Sequence, residues 1–124
     1  MIKLPNLLTI SILAICTSAN ADDAMSVRFT FGSPRACTTM FPNPEIKVQH
    51  VPVGTSKILV KLRREKNYEM GGMTIPLPSN GIVKPDTVRT WGPCNPGVYT
   101  YEVTAMSGAG TVLARAEWSE PYLP

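Results

Sequence analysis

The chain has little of the chemistry on which most enzymes and metal proteins depend. Its 124 residues include one histidine and three cysteines, and 7% of them are aromatic. Serine-type hydrolysis needs a base beside the nucleophile, but His50, two residues before Pro52, is expected at the surface or capping a turn. A zinc site needs several cysteine and histidine ligands, and a phosphate-binding Gly-x-x-x-x-Gly-Lys motif is absent. The sequence therefore predicts no catalytic residue, no metal and no cofactor.

Charge offers no stronger sign of an activity or a partner. Glu65 and Glu69 are close in sequence, as paired glycosidase carboxylates would be, but they fall in an irregular charged stretch that is typical of a solvated loop. The formal net charge is +3, and the basic residues are scattered apart from Arg63-Arg64. A nucleic-acid-binding face is expected to be densely basic. We therefore expect a protein that is not an enzyme and does not bind nucleic acid.

The N-terminal apolar run is too short to cross a bilayer, which takes ~20 apolar residues. Lys3, the apolar residues 7–15 and the small-residue site Ala19-Asn20-Ala21 follow the order of a cleavable secretory signal peptide over residues 1–21. Residues 22–124 then form one small domain in the periplasm or outside the cell. The alternative is a bacterial lipoprotein, because residues 13–16 read Leu-Ala-Ile-Cys. Only a lipid on Cys16 would tie the protein to a membrane.

Prolines and glycines are abundant and separate short apolar segments. There are 12 prolines and 9 glycines, a pattern typical of an all-β domain with many turns. Alternation of apolar and polar residues predicts strands over residues 25–31, 45–51, 56–63, 73–77, 88–91, 98–105 and 111–118. The stretch from 64 to 87 reads as mostly irregular, and no helix is predicted after the signal peptide. The expected fold is an antiparallel β-sandwich.

Two cysteines remain after cleavage at Ala21, namely Cys37 and Cys94. In an oxidising compartment such a pair indicates a disulfide, which for so long a loop contributes on the order of 4 kcal/mol to stability. A metal or redox pair is the alternative, but the chain has no Cys-x-x-Cys motif. We expect the bond between Cys37 and Cys94.

Several segments resemble the phosphatidylethanolamine-binding family, which includes the bacterial Raf-kinase-inhibitor-like proteins. Residues 43–55 resemble its Ser-Pro-x-Ile-x-Leu-x-x-Val-Pro-x-Gly-Thr segment, and residues 57–62 fall at its central apolar strand. Gly71-Gly72 resembles the end of its His-Gly-Gly-Gly stretch. Residues 92–96 are similar to its Gly-Pro-x-Pro-Pro turn, in the cysteine-bearing form of short secreted members, and residues 99–113 follow its final hairpin. The order and spacing of these segments carry the resemblance.

The resemblance implies a β-sandwich with a small pocket for a phosphate-like anion or a phospholipid head group. Backbone N–H groups of glycine and proline turns can hold an anion without charged side chains. The residues carried over to this pocket are Gly71, Gly72, Gly92, Pro93, Pro96 and Gly97. Lys66 or Arg89 is expected near the anion.

The chain departs from the family at its acidic and histidine positions. Residues 64–68 read Arg-Glu-Lys-Asn-Tyr where the family has Asp-x-Asp-x-Pro. Met70 replaces the histidine before the glycines, and Gly97 falls about where a second histidine is expected. Two other readings stay open: a secreted immunoglobulin-like structural or adhesion module, and a small secreted inhibitor. Either one would act on a protein partner.

The disulfide is tested by mass spectrometry of the exported protein under non-reducing conditions. Peptide mapping is expected to recover one cross-linked species that contains Cys37 and Cys94. Two alkylated free thiols at these positions would contradict the expectation.

Overall fold

The computed structural model describes residues 24–32, 41–92 and 94–123. The expected signal peptide, Cys16, Cys37 and Pro93 lie outside these residues. The described residues contain strands and turns but no helix, so the predicted all-β fold class is confirmed.

Nine strands are formed by the described residues. They are β1 (Ser26–Phe29), β2 (Phe41–Pro42), β3 (Ile46–Gln49), β4 (Lys57–Arg64), β5 (Tyr68–Pro76), β6 (Ile82–Val83), β7 (Arg89–Thr90), β8 (Gly97–Met106) and β9 (Val112–Tyr122). Each predicted strand has a counterpart among them. The two-residue strands β2 and β6 have no alternating pattern long enough to be read from the sequence.

Three antiparallel sheets contain these strands. One has the order β1-β3-β6, a second pairs β2 with β7, and the largest has the order β5-β4-β8-β9. The hairpin of β8 and β9 is in register with Val103 opposite Ala116. β8 therefore lies in the interior of the largest sheet, between β4 and β9.

The prediction of a mostly irregular segment from residue 64 to residue 87 is wrong for its first half. β5 begins at Tyr68 and pairs with β4 over its whole length, from Tyr68 opposite Arg64 to Pro76 opposite Lys57. A register shift between Lys61 and Arg63 interrupts the ladder. This bulge and the glycine pair break the apolar–polar alternation of β5, which hid the strand.

One core is shared by the three-stranded and four-stranded sheets. Alternate residues of β1, β3, β4 and β8 point into it, and its members are Val27, Phe29, Ile46, Val48, Ile58, Val60, Leu62, Tyr99, Tyr101, Val103 and Ala105. The outer face of the large sheet carries charge instead. There Arg63 donates hydrogen bonds to Glu102 and Glu117, two carboxylates directly opposite each other on β8 and β9. Arg63 thus offsets a repulsive cross-strand pair.

Tyr101 has a buried hydroxyl group that finds no hydrogen-bond partner in the described part of the chain. Its ring packs edge-on against Phe29, with 4.8 Å between centroids. Burial raises the pKa of Tyr101 well above its usual value, because the ionised form would lie among apolar side chains. In the unfolded chain the pKa returns to about 10. Above about pH 10 the folded state therefore binds more protons than the unfolded state. The contribution of Tyr101 to the free energy of unfolding is complete below that pH and falls as the pH rises above it.

We expect the variant Tyr101→Phe to keep its stability at neutral pH and to lose less of it in alkali. Removing one such titration makes the alkaline slope of the unfolding free energy shallower by about 1.4 kcal/mol per pH unit. Urea unfolding followed on both sides of the tyrosine pKa measures this slope.

Tyr68→Phe is the matched control, because the Tyr68 side chain is exposed. The alkaline slope of the unfolding free energy of this variant is expected to equal that of the parent protein. Equal slopes for the parent and Tyr101→Phe would contradict the prediction.

Candidate functional site

The turn between β4 and β5 is fixed to the start of β8 by two hydrogen bonds. The Glu65 N–H donates to the Val98 carbonyl at 2.8 Å. The Val98 N–H donates in return to Oε1 of Glu65 at 3.3 Å. Glu65 adopts a positive φ of 52°, which tightens the turn at the point where the strand ends. The backbone of residues 65–67 is therefore held against β8.

Gly97 makes the close approach between these two segments possible. A Cβ atom at Gly97 would lie 3.0 Å from Oε1 of Glu65 and 3.3 Å from Nε of Arg64. The Tyr99 hydroxyl donates to the carbonyl of Asn95 at 2.9 Å and fixes the turn that leads into Gly97. Burial raises the pKa of Tyr99, while the nearby charge of Arg64 opposes this rise. Arg64 and Tyr99 thus share one electrostatic environment.

Arg64 is the unusual group of this region. It lies on the core face of β4, opposite Tyr99 in the ladder, and two positions beyond the buried Leu62. Its Nε atom is buried and has no hydrogen-bond partner among the residues that the structure describes. A buried donor without an acceptor costs free energy, and the cost is larger for a charged group. This Nε atom lies against Gly97 and is not exposed to solvent.

An open cleft of about 540 Å³ has Arg64 on its wall. It is lined by Arg64, Glu65, Lys66, Asn67 and Tyr68. Lys66 lies on its wall, whereas Arg89 lies on β7 and is not among the lining residues. The cleft offers two cationic side chains, and one of the carboxylate oxygens of Glu65 is already used by the Val98 N–H.

Gly71 lies beside the segment that leads to Gly92. The Trp91 N–H donates to the Met70 carbonyl at 2.8 Å, and a Cβ atom at Gly71 would lie 3.6 Å from Cδ1 of Trp91. The positive φ of 96° at Gly71 is a conformation that glycine adopts most readily. The structure therefore places Gly71 beside Thr90 and Trp91, the two residues before the predicted turn. Trp91 itself stays 59% exposed.

Gly72 has a structural role. It pairs with Lys61 across the β4–β5 ladder, and a Cβ atom there would lie 2.6 Å from the Val60 carbonyl oxygen. Side chains larger than hydrogen do not fit at that distance. Gly72 is therefore required by the approach of two strands, and it does not line the cleft.

The remaining predicted positions are placed as follows. Gly92 is half-buried and Pro96 is exposed, and neither lines the cleft. Pro93 lies outside the described residues. Cys94 is disulfide-bonded, but Cys37 lies outside the described residues, so the pairing between them stays a prediction.

Other kinds of site were sought in the part of the chain that the structure describes. There, no group of three or more His, Cys, Asp or Glu side chains is placed to hold a metal ion. No helix in the same residues has the length and hydropathy needed to cross a bilayer. His50 lines a different cleft, beside Leu77 and Pro78.

No protein-family model, no curated protein and no solved structure matches this chain. The family resemblance therefore stays an expectation, and the function must be argued from the geometry of the cleft.

Sequence reasoning did not select Arg64, which is the central group of the cleft. It ended the strand at residue 63 and treated Arg64 only as a departure from an acidic family motif. The signal was present in the alternation, because Ile58, Val60 and Leu62 point inward and the same period places Arg64 on their side.

We expect Gly72→Ala to destabilise the fold by about 2 kcal/mol, because the added methyl group must displace backbone atoms. Urea unfolding compares it with Gly108→Ala, whose Cβ would lie 3.9 Å from the nearest atom, Oγ of Ser56. The control is expected to stay within about 1 kcal/mol of the parent. Equal stabilities for the two variants would show that Gly72 is not packed as described.

Proposed function

We propose that this protein is an exported, non-catalytic binding protein that holds a small phosphate-like anion in the cleft between Arg64 and Tyr68. The observation that carries the proposal is the buried Nε of Arg64, which has no acceptor among the described residues. Hydrogen bonds between a guanidinium group and a phosphate oxygen are charge-assisted and stronger than neutral ones. An anion in the cleft is attracted by the positive charge of this side chain.

The surroundings of Arg64 support an anion over a neutral ligand. Lys66 adds a second positive charge to the cleft wall. Glu65 has one of its carboxylate oxygens turned toward the Val98 N–H, which reduces its repulsion of an incoming anion. Positive charge at a cleft also raises the local concentration of anions.

The ligand is held in a preformed site in this proposal. The Glu65–Val98 hydrogen bonds and the Tyr99–Asn95 hydrogen bond fix the two segments that meet at Gly97. A site that is rigid before binding loses less conformational entropy when the ligand arrives. The exposed Tyr68 on the cleft wall gives an organic head group an apolar surface to contact.

The resemblance to phosphatidylethanolamine-binding proteins gives the proposal its ligand class, a phosphate or a phosphoester head group. The chemistry of the site differs from that family, because an arginine stands where an acidic motif is expected. Binding without turnover fits the lining residues, since no nucleophile and base are paired among Arg64, Glu65, Lys66, Asn67 and Tyr68. The signal peptide over residues 1–21 would place this activity in the periplasm or outside the cell.

Calorimetric melting in the presence of inorganic phosphate tests the proposal. At ten times its dissociation constant, a ligand is expected to raise the melting temperature by about 4 °C or more. Arg64→Gln is expected to abolish the shift. Lys57→Gln, at the other end of the same strand, is expected to retain it.

A second arm uses glycerophosphoethanolamine in place of phosphate. A larger shift with this compound assigns the cleft to a head group, and equal shifts assign it to the phosphate alone. No shift with either compound, or equal shifts in the parent and Arg64→Gln, would overturn the proposal.

A further inference from the structure

Three stretches of the described chain contain no charged side chain. No Asp, Glu, Lys or Arg occurs in them, and His50 is their only titratable group. Each stretch includes a loop that joins two strands. The stretches are residues 48–56, 70–83 and 103–114.

Backbone hydrogen bonds place these loops side by side. The Ser56 N–H donates to the Met106 carbonyl at 2.9 Å, and the Leu77 N–H donates to the Ser56 carbonyl at 3.1 Å. The Val48 N–H donates to the Gly81 carbonyl at 2.8 Å. One end of the two larger sheets is therefore without formal charge among the described residues. This uncharged end consists of residues 50–56, 77–81 and 107–113.

A valine protrudes from the uncharged end. The Val53 side chain is fully exposed. Its turn is closed by the N–H and the hydroxyl of Thr55, which donate to the Pro52 carbonyl at 3.3 and 2.8 Å. Gly54 follows with a positive φ of 93°, as the third position of a type II turn requires. A hydrogen-bonded turn therefore holds Val53 in solvent.

Two more aliphatic side chains lie at the same end. A Cβ atom at Gly54 would lie 4.0 Å from Cδ1 of Leu113, so Leu113 lies beside the valine turn. Leu113 and its neighbour Val112 are both exposed. Exposed apolar side chains that cluster in this way indicate an interaction surface, whereas single ones are common on any protein.

Four cations surround the uncharged end and are named the basic collar. Lys57 is the first residue of β4, and Arg115 is the fourth residue of β9. On the other sheet, Lys47 is opposite Arg28 and two residues before the end of β3. Arg28 stacks on the Trp118 ring, but none of the four cations has an ion pair among the described residues.

The carboxylates of the described strands lie farther from this end. Glu102 and Glu117 are opposite each other, four residues before the end of β8, and both accept hydrogen bonds from Arg63. Four residues of a strand span about 13 Å. Glu45 is also four residues from the end of β3. The surface is therefore apolar at its tip, positive around the tip and negative only beyond the collar.

This arrangement favours a lipid surface over a protein partner. A protein would need a pocket that matches the protruding Val53, whereas lipid chains adapt to a side chain of any shape. Charged groups are costly in the apolar part of a bilayer, and the uncharged end has none. Anionic head groups attract nearby lysine and arginine side chains, which the basic collar supplies.

We propose that the uncharged end docks on the surface of a bilayer that contains anionic lipids. Val53 and Leu113 insert at the boundary between head groups and acyl chains, and the basic collar lies against the lipid phosphates. This contact needs no covalent lipid on Cys16. It is independent of the anion cleft, because Arg64 and Lys57 are at opposite ends of β4.

Co-sedimentation with vesicles tests the proposal. One set of vesicles is pure phosphatidylcholine, and the other contains equal amounts of phosphatidylcholine and phosphatidylglycerol. The exported protein is expected to bind the anionic vesicles, and to bind them less as salt screens the collar. Val53→Asp is expected to lower the partition coefficient about tenfold, because its carboxylate must enter the apolar boundary.

Leu123→Asp is the matched control, because it adds the same carboxylate at an exposed leucine. Leu123 follows Tyr122, which is opposite Gly97 at the other end of the sheet, so this variant is expected to bind as the parent protein does. Circular dichroism melting is expected to give equal midpoints for Val53→Asp and the parent, since the Val53 side chain is fully exposed.

The basic collar has a separate test by charge reversal. The double variant Lys57→Glu, Arg115→Glu is expected to weaken binding to the anionic vesicles about tenfold or more. Arg89→Glu is its control, because Arg89 is an exposed cation on β7, outside the collar. Arg64→Gln is expected to retain vesicle binding, which separates this contact from binding of a head group in the cleft.

No binding to the anionic vesicles would overturn the proposal in favour of a protein partner for this end. Equal binding by Val53→Asp and the parent, or loss of vesicle binding in Arg64→Gln, would overturn it as well.

Discussion

Edge-to-face packing of aromatic rings holds the three sheets together, and the rest of the structure depends on it. Phe29 of β1 contacts Tyr101 of β8 at 4.8 Å between centroids, and Tyr122 of β9 contacts Phe41 of β2 at 6.4 Å and Tyr99 of β8 at 5.9 Å. Such pairs contribute about 0.5–1.5 kcal/mol each beyond the area they bury. Because Tyr99 belongs to this cluster and its hydroxyl donates to Asn95, the same packing fixes the turn before Gly97. The shape of the cleft is thus a consequence of the core.

The alternation in the sequence was sufficient to predict the strands that face the core on one side. Residues such as Val27, Val48 and Val60 lie inward as their period requires. The alternation was insufficient for β5, where Gly71-Gly72 and a bulge interrupt it. The bulge places two residues of β5 opposite one residue of β4. Pairing in that region depends on the neighbouring strand and on a tryptophan from another loop. A local pattern contains no information about either partner.

The residues of the candidate site also divide into those that could be predicted from the sequence and those that could not. Gly71 and Gly97 were selected from the sequence, and both lie where segments approach each other closely. Gly72 was selected by the same resemblance, but its place is explained by the distance between two strands. A glycine can be read directly from a sequence. The reason why a position requires glycine becomes known only when the structure shows the atom that lies opposite it. Arg64 was missed because its importance arises from the lack of an acceptor, a property that no residue shows by itself.

The adjacent arginines show how one strand places two cations in different surroundings. Arg63 and Arg64 point to opposite faces of β4, because successive side chains alternate. Arg63 lies on the outer face, where the hydrogen bond that it donates to Glu117 is the first cause of its raised pKa, and its charge is satisfied by two carboxylates. Arg64 lies on the core face at the end of the apolar row and keeps an unpaired donor. A leucine there would extend the core without this cost. The proposed anion would account for a cation at this end of the apolar row, where Arg64 lies on the wall of the cleft.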